Sequence, residues 1–192
     1  MRIMPNLESE RLRIRPFTPQ DSEATYYLLA SIGWVDSEKT EAEQRAATDD
    51  YIQWCSLNHR HLAQLYQPPY GDRAVVLKNT DELIGTCGLV PCLDMFGVFP
   101  SFGGQSGGFA TAKMGLLWTI GAKYQQKGYA TEVAKTLINY ALTDLNLDHI
   151  IATTEYDNIA SQKVMGNAGM RVEKNPFSEP PWLQVLGIAK QS

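Results

Sequence analysis

Lys113-Met114-Gly115-Leu116-Leu117-Trp118-Thr119-Ile120 leads through Gly121-Ala122-Lys123-Tyr124-Gln125-Gln126-Lys127-Gly128 into Tyr129-Ala130-Thr131-Glu132-Val133-Ala134-Lys135-Thr136-Leu137-Ile138-Asn139. In the first piece Met114, Leu116, Trp118 and Ile120 alternate with Lys113, Gly115, Leu117 and Thr119, the period of a strand with two different faces. In the last piece the period changes. Ala130, Val133, Ala134, Leu137, Ile138, Ala141 and Leu142 recur at three-and-four spacing, while Glu132, Lys135, Thr136 and Asn139 fall opposite. The stretch predicts a strand, a short turn and an amphipathic helix. Gly128 carries no Cβ to block close approach, and Ala130 is small. Several backbone N–H groups can therefore converge on an anion at the positive end of the helix, so the turn points to a phosphate-bearing ligand.

Working outward, residues 149–155 contain Ile150, Ile151 and Ala152 and predict the next strand. Asp157 and Asn158 then cap a short helix in which Ala160, Val164 and Ala168 share a face, with Gly169 as its stop. After Pro176, Pro180 and Pro181, residues 182–189 read as a last strand. Upstream, residues 74–77 and 83–90 flank a polar tip and form a hairpin. An opening strand at 11–17 alternates Leu12 and Ile14 with Arg13 and Arg15. Thr18-Pro19-Gln20-Asp21 ends it and starts a helix to about Ser31, with Thr18 as N-cap and Pro19 at the first helical position. Residues 37–58 are also compatible with a helix. Residues 91–112 read as a long irregular connection, and the run Gly103-Gly104-Gln105-Ser106-Gly107-Gly108 within it as a flexible insertion beside the acceptor site.

The chain has 192 residues, 44% of them hydrophobic, and a formal net charge of −4. This length suits one well-buried core and predicts a single domain over residues 1–192. No dense Lys/Arg run supplies the counterion-release drive of nucleic-acid binding, so nucleic acid is not an expected partner. Nowhere do about 18 apolar residues follow one another, and Asn6, Glu8, Glu10 and Arg11 interrupt any apolar leader, so neither a membrane span nor secretion is expected. Cys55, Cys87 and Cys92 form no C-x-x-C pair and read as buried thiols in a reducing cytoplasm. His59, His61 and His149 do not reach a zinc ligand set, and no metal is expected. The glycine run lacks the G-K-[ST] ending of a nucleotide loop. Monomer and homodimer both stay open.

Gln125-x-x-Gly128-x-Ala130, between a strand and a helix, resembles the Q/R-x-x-G-x-G/A acyl-CoA motif of the GNAT N-acetyltransferases. The run 126–133 is similar to the "GKGYATEA" stretch of the Rim-type branch, whose members acetylate ribosomal proteins. Residues 158–170 are similar to that branch's "N-x-A-S-x-x-V-x-x-x-x-G-F", and Glu10-Arg11-Leu12-x-Ile14-Arg15 to its "T-E-R-L-x-L-R" opening. The resemblance spans nearly the whole chain.

It implies an α+β GNAT fold: a mixed, mostly antiparallel sheet of about six to seven strands, splayed at its centre, with helices on both faces. It implies acetyl-CoA as co-substrate and a primary amine as acceptor, either a protein N-terminus or a small amine. Carried over by position, Gln125, Gln126, Lys127, Gly128, Tyr129 and Ala130 meet the pyrophosphate, Thr131 adds a hydroxyl, and Asn158 meets the pantetheine or acetyl end. The backbone N–H near Ile120 stabilises the oxyanion. The chain departs from the family at Met165, where many members carry a tyrosine acid; Ser161 is the substitute that the Rim-type pattern suggests. Glu155, His59 and His61 all stay open as the general base. A non-catalytic acyl-CoA-binding module on the same scaffold is the alternative that Met165 keeps in view.

Overall fold

Alternation and turn chemistry shape the first half of the chain. In the computed structural model, which describes residues 3–191, β1 (Leu7–Glu8) and β2 (Leu12–Arg15) lead to α1 (Ser22–Ser31) and α2 (Glu41–His61). β3 (Gly71–Leu77), β4 (Leu83–Asp94) and β5 (Thr111–Ile120) follow, then α3 (Tyr129–Asn139) with a π-helical continuation at Tyr140–Asp144. The remaining elements are β6 (His149–Thr154), α4 (Ile159–Asn167), β7 (Arg171–Lys174) and β8 (Val185–Lys190). The chain divides into two compact units, Met1–Leu89 with Leu117–Val133, and Val90–Leu116 with Ala134–Ser192. β4, β5 and α3 each run from one unit into the other.

Among the described residues the sheet has eight strands, ordered β1-β2-β3-β4-β5-β6-β8-β7. Pairings β1–β2, β2–β3, β3–β4, β6–β8 and β7–β8 are antiparallel. β5 and β6 run parallel and, among the described residues, meet in register at Gly115↔Ile151. This is the mixed, mostly antiparallel α+β architecture expected of the GNAT fold, with eight strands rather than six or seven. In the first unit Ala74, Val75 and Val76 of β3 are fully buried on both faces, as a strand covered on two sides requires. Phe17, Ile52, Cys55 and Ala74 form a core cluster there that ties α2 to the sheet. In the second unit Ile151, Leu186 and Ile188 pack with Phe96, Val98 and Phe99.

Several expectations change. The segment 91–112, read as a long irregular connection, begins as strand, because β4 continues through Pro91 to Asp94. Its next residues, Phe96, Val98 and Phe99, are at most 1% exposed. Their aromatic and branched side chains bury enough surface to hold two short 3₁₀ turns, and the exposed glycine run starts only at Gly103. α2 starts at Glu41 and reaches His61, a shift of three to four residues from 37–58. β7 was not foreseen: Arg-Val-Glu-Lys is short and polar, and pairing with β8 makes it a strand. β8 begins at Val185, after a turn in which Leu183 N–H donates to the Pro180 carbonyl at 3.1 Å.

Candidate functional site

In the first unit, β5 ends at Ile120, which is buried and whose carbonyl accepts the Gln125 side-chain amide at 3.0 Å. A 3₁₀ turn at Ala122–Tyr124 follows, and the Gln125 backbone N–H donates to Ala122 at 3.3 Å. Both Gln125 groups thus brace the turn internally. Gln126 at φ +61° and Gly128 at φ +81° then reverse the chain into α3. A Cβ at Gly128 would meet Arg11 Nη2 at 3.5 Å, an ordinary contact, so the left-handed backbone rather than lack of space calls for glycine. The first helical bond of α3 runs from Glu132 N–H to the Gly128 carbonyl at 3.1 Å. The N–H groups of Tyr129, Ala130 and Thr131 precede it and have no partner of their own within the helix.

The other side of this turn is tied to the start of the chain. Glu132 accepts the Arg11 backbone N–H at 2.8 Å, Arg11 Nε at 2.7 Å and Ser9 Oγ at 2.7 Å. Arg11 Nη1 donates to the Lys127 carbonyl at 3.0 Å, and its guanidinium carbon stands 4.4 Å from the centroid of the Tyr129 ring. Burial pushes the Glu132 carboxyl up. The Arg11 N–H, the Ser9 hydroxyl and the Arg11 charge outweigh it and hold the group below the usual glutamate range.

α1 closes on the start of the turn. The Ala122 N–H donates to Ser31 Oγ at 3.2 Å, and a Cβ at Gly121 would lie 3.3 Å from Leu28 Cγ. Beside this contact is a cavity of about 220 Å³ walled by Leu29, Trp34, Val35, Ala47, Thr48 and Tyr51, among others. Its polar walls are already engaged. Thr48 donates to the Gln44 carbonyl at 3.0 Å, Gln44 Nε2 to the Asp36 carbonyl at 2.7 Å, and Tyr51 to Asp72 Oδ2 at 2.8 Å. Burial raises the Asp72 carboxyl and, with the nearby Asp72 charge, the Tyr51 phenol.

The remaining sequence-predicted residues fall elsewhere. His59 lies at the end of α2 with Nδ1 3.3 Å from Arg73 Nη1, and burial followed by the Arg73 charge lowers its pKa. His61 is exposed and faces Gln64 at 3.2 Å. In the second unit Asn158 caps α4, its Oδ1 accepting the Ser161 N–H at 3.0 Å. The Ser161 side chain is part-buried in the first turn of that helix, and Glu155 is exposed one residue beyond β6. Met165 is fully buried, with Sδ 2.9 Å from where a Cβ at Gly187 would stand. Sequence reading assigned no role to Ser9, or to Arg11 and Glu132 as a pair. Nothing periodic links positions 121 residues apart. Among the described residues no cluster of three His, Cys, Asp or Glu is placed to hold a metal, and no helix is long and apolar enough to cross a membrane.

Residues 11–171 match the family model described as an acetyltransferase (GNAT) domain. The chain is 36% identical over 168 residues to the uncharacterized N-acetyltransferase YnaD of Bacillus subtilis, covering 88% of this chain and 84% of that one. The ribosomal-protein-S5-alanine acetyltransferase of Vibrio fischeri shares the fold at a TM-score of 0.62 and 17% identity, covering 97% of this chain and 96% of its own. The microcin C7 self-immunity acetyltransferase MccE, solved in complex with acetyl-CoA and AMP, matches at a TM-score of 0.62 and 13% identity, covering 95% of this chain and 93% of its own.

Proposed function

The chain belongs to the acetyltransferase (GNAT) family, and we propose that it transfers acetyl from acetyl-CoA to a primary amine and is of the Rim type that its sequence pattern resembles. The observation that carries this reading is the open start of α3. The N–H groups of Tyr129, Ala130 and Thr131 precede the first helical bond, behind a left-handed Gly128. Such a helix end fits a pyrophosphate, which gains from both the free donors and the macrodipole. Gln125 acts here by bracing the turn at Ile120, and Gln126, Lys127 and Gly128 by shaping it. Asn158 and Ser161 are assigned to the pantetheine and acetyl end.

In the reaction the neutral amine attacks the thioester carbonyl. A C–N bond forms as the oxyanion develops, and the backbone N–H near Ile120 is assigned to it. Collapse breaks the C–S bond, CoA leaves as thiolate, and the amine gives up a proton. Met165 supplies no acid. Ser161 is the candidate donor, although a thiol with an ordinary pKa near 8.5 leaves with little help. Glu155 and His59 are the candidate bases, His59 with the neutral form favoured by its lowered pKa. We assign the acceptor to the cavity by Trp34. Leu29, Trp34, Val35 and Ala47 give it an apolar wall beside the exposed Asp36–Lys39 ion pair, which suits an amine with an apolar body.

A thermal-shift series with acetyl-CoA, CoA, ATP and NAD tests the reading. A ligand at about 100 times its dissociation constant adds roughly 2.7 kcal/mol, several degrees in Tm for a chain of this size. Selective stabilisation by acetyl-CoA and CoA is the expected result, and no shift at millimolar concentration overturns it. A second reading, a non-catalytic acyl-CoA-binding module, rests on the buried Met165. Binding without turnover across an amine panel would favour it.

A further inference from the structure

An acidic residue in the first turn of a helix ordinarily competes with an external anion. It is attracted to the same positive end and repels whatever negative charge approaches. Glu132 stands at that place in α3, one helical turn from the Gly128 carbonyl that its N–H meets. Its carboxylate is turned toward the strand side, held by the Ser9 hydroxyl and by the backbone N–H and guanidinium of Arg11. The same guanidinium holds the Lys127 carbonyl and covers the Tyr129 ring. Its Nη2 lies 3.5 Å from where a Cβ at Gly128 would be. One side chain thus anchors the turn by its acceptor side, leaving the donor side outward, and supplies the charge opposite to Glu132.

We infer that Arg11 is the positioning and charge-compensating residue of the anion-binding turn: it neutralises and diverts Glu132 so that the start of α3 accepts a pyrophosphate. This rests on the acetyl-CoA reading above. The strap is built from residues over 100 positions apart, so the turn between β1 and β2 contributes to an anion site formed near residue 128. Replacing Arg11 by a neutral residue removes the positive charge that faces Glu132 and leaves that carboxylate within a Debye length of the ligand.

The test measures CoA affinity by calorimetry, with melting temperature as the check on folding, for wild type, Arg11→Gln, Glu132→Gln and the double variant. We expect Arg11→Gln to weaken CoA binding about tenfold or more, with a deficit that shrinks at high salt. Glu132→Gln alone binds CoA as tightly as wild type or tighter. The double variant, with both charges gone and amide hydrogen bonds still available between the two sites, returns to within about threefold of wild type. Arg11→Gln binding CoA like wild type overturns the inference. So does a double variant as weak as Arg11→Gln with a normal melting temperature, since a purely structural strap predicts no recovery from removing the carboxylate. If Arg11→Gln does not fold, the double variant against Glu132→Gln decides: affinities within about threefold support charge compensation, and a larger gap sinks it. Failure of wild type to bind CoA at all would instead remove the cofactor reading on which the inference stands.

Discussion

α2 and the start of α3, both in the first unit, each carry a carboxylate in the first turn and use it in opposite ways. At α2 the chain seals its own helix. The Glu43 N–H donates to Thr40 Oγ1 at 3.3 Å, and the Glu43 carboxylate receives the Thr40 N–H at 2.9 Å. At α3 the cap is a glycine, and the carboxylate one position further along, Glu132, is drawn away to Ser9 and Arg11. One helix start ties its third N–H to its own cap side chain, and the other has a glycine that offers no such acceptor. α4, in the second unit, lies between these cases, with a single side-chain cap from Asn158. A single step in the placement of an acidic residue, together with glycine in place of threonine, separates a helix start capped by its own side chains from one that is not.

The largest effect should come from closing α3. Gly128→Glu places bulk and a carboxylate at the open donors and is expected to reduce CoA affinity more than about 100-fold by calorimetry. The left-handed backbone adds about 1–2 kcal/mol of strain, visible as a lower Tm. Wild-type affinity in this variant would remove the turn from the cofactor site. Asn158→Ala should lose about 1 kcal/mol of stability through the cap and also raise the KM for acetyl-CoA. A stability loss with unchanged KM would confine Asn158 to capping. Thr40→Ala should cost a similar amount, about 1 kcal/mol, with CoA affinity unchanged, because Thr40 caps α2 and is assigned no contact with CoA. Altered CoA binding there would blur the distinction between the two helix starts.

The smallest effect concerns pH. The folded-state pKa of Glu132 is depressed, so its ion pair contributes stability above the unfolded-state value of about 4.3 and loses it as the pH falls through the folded value. The difference in denaturant midpoint between wild type and Glu132→Gln should be full at pH 7 and close below about pH 4. A gap that persists in acid would mean packing, rather than charge, holds the strap.

Much of the α3 turn was legible because its information is local. A period of two, a glycine and a period of 3.6 lie within 27 consecutive positions, residues 113–139. The Asn158 cap was legible for the same reason. What stayed hidden is tertiary. Arg11 and Glu132 each looked like an ordinary charged position on a strand and a helix, and only the fold joins them. Phe96, Val98 and Phe99 were read as part of an insertion because neighbouring Gly and Pro dominate the local signal, yet burial decides their structure. β7 was missed because four polar-looking residues become a strand only when β8 offers its edge.

The cysteines of the two units differ in burial, and the difference provides a clock. Cys55 and Cys87, in the first, are at most 2% exposed, and burial pushes the Cys55 thiol up to about 12 and Cys87 higher than its ordinary value. In the closed state neither forms an appreciable thiolate at neutral pH, so an alkylating reagent can reach them only when the surrounding structure opens. Cys92, part-buried in the second unit, is also raised by burial, with the Asp94 charge adding to it. Labelling by mass spectrometry would time the opening around Cys55 and Cys87, with the part-buried Cys92 as an internal reference and no engineered probe.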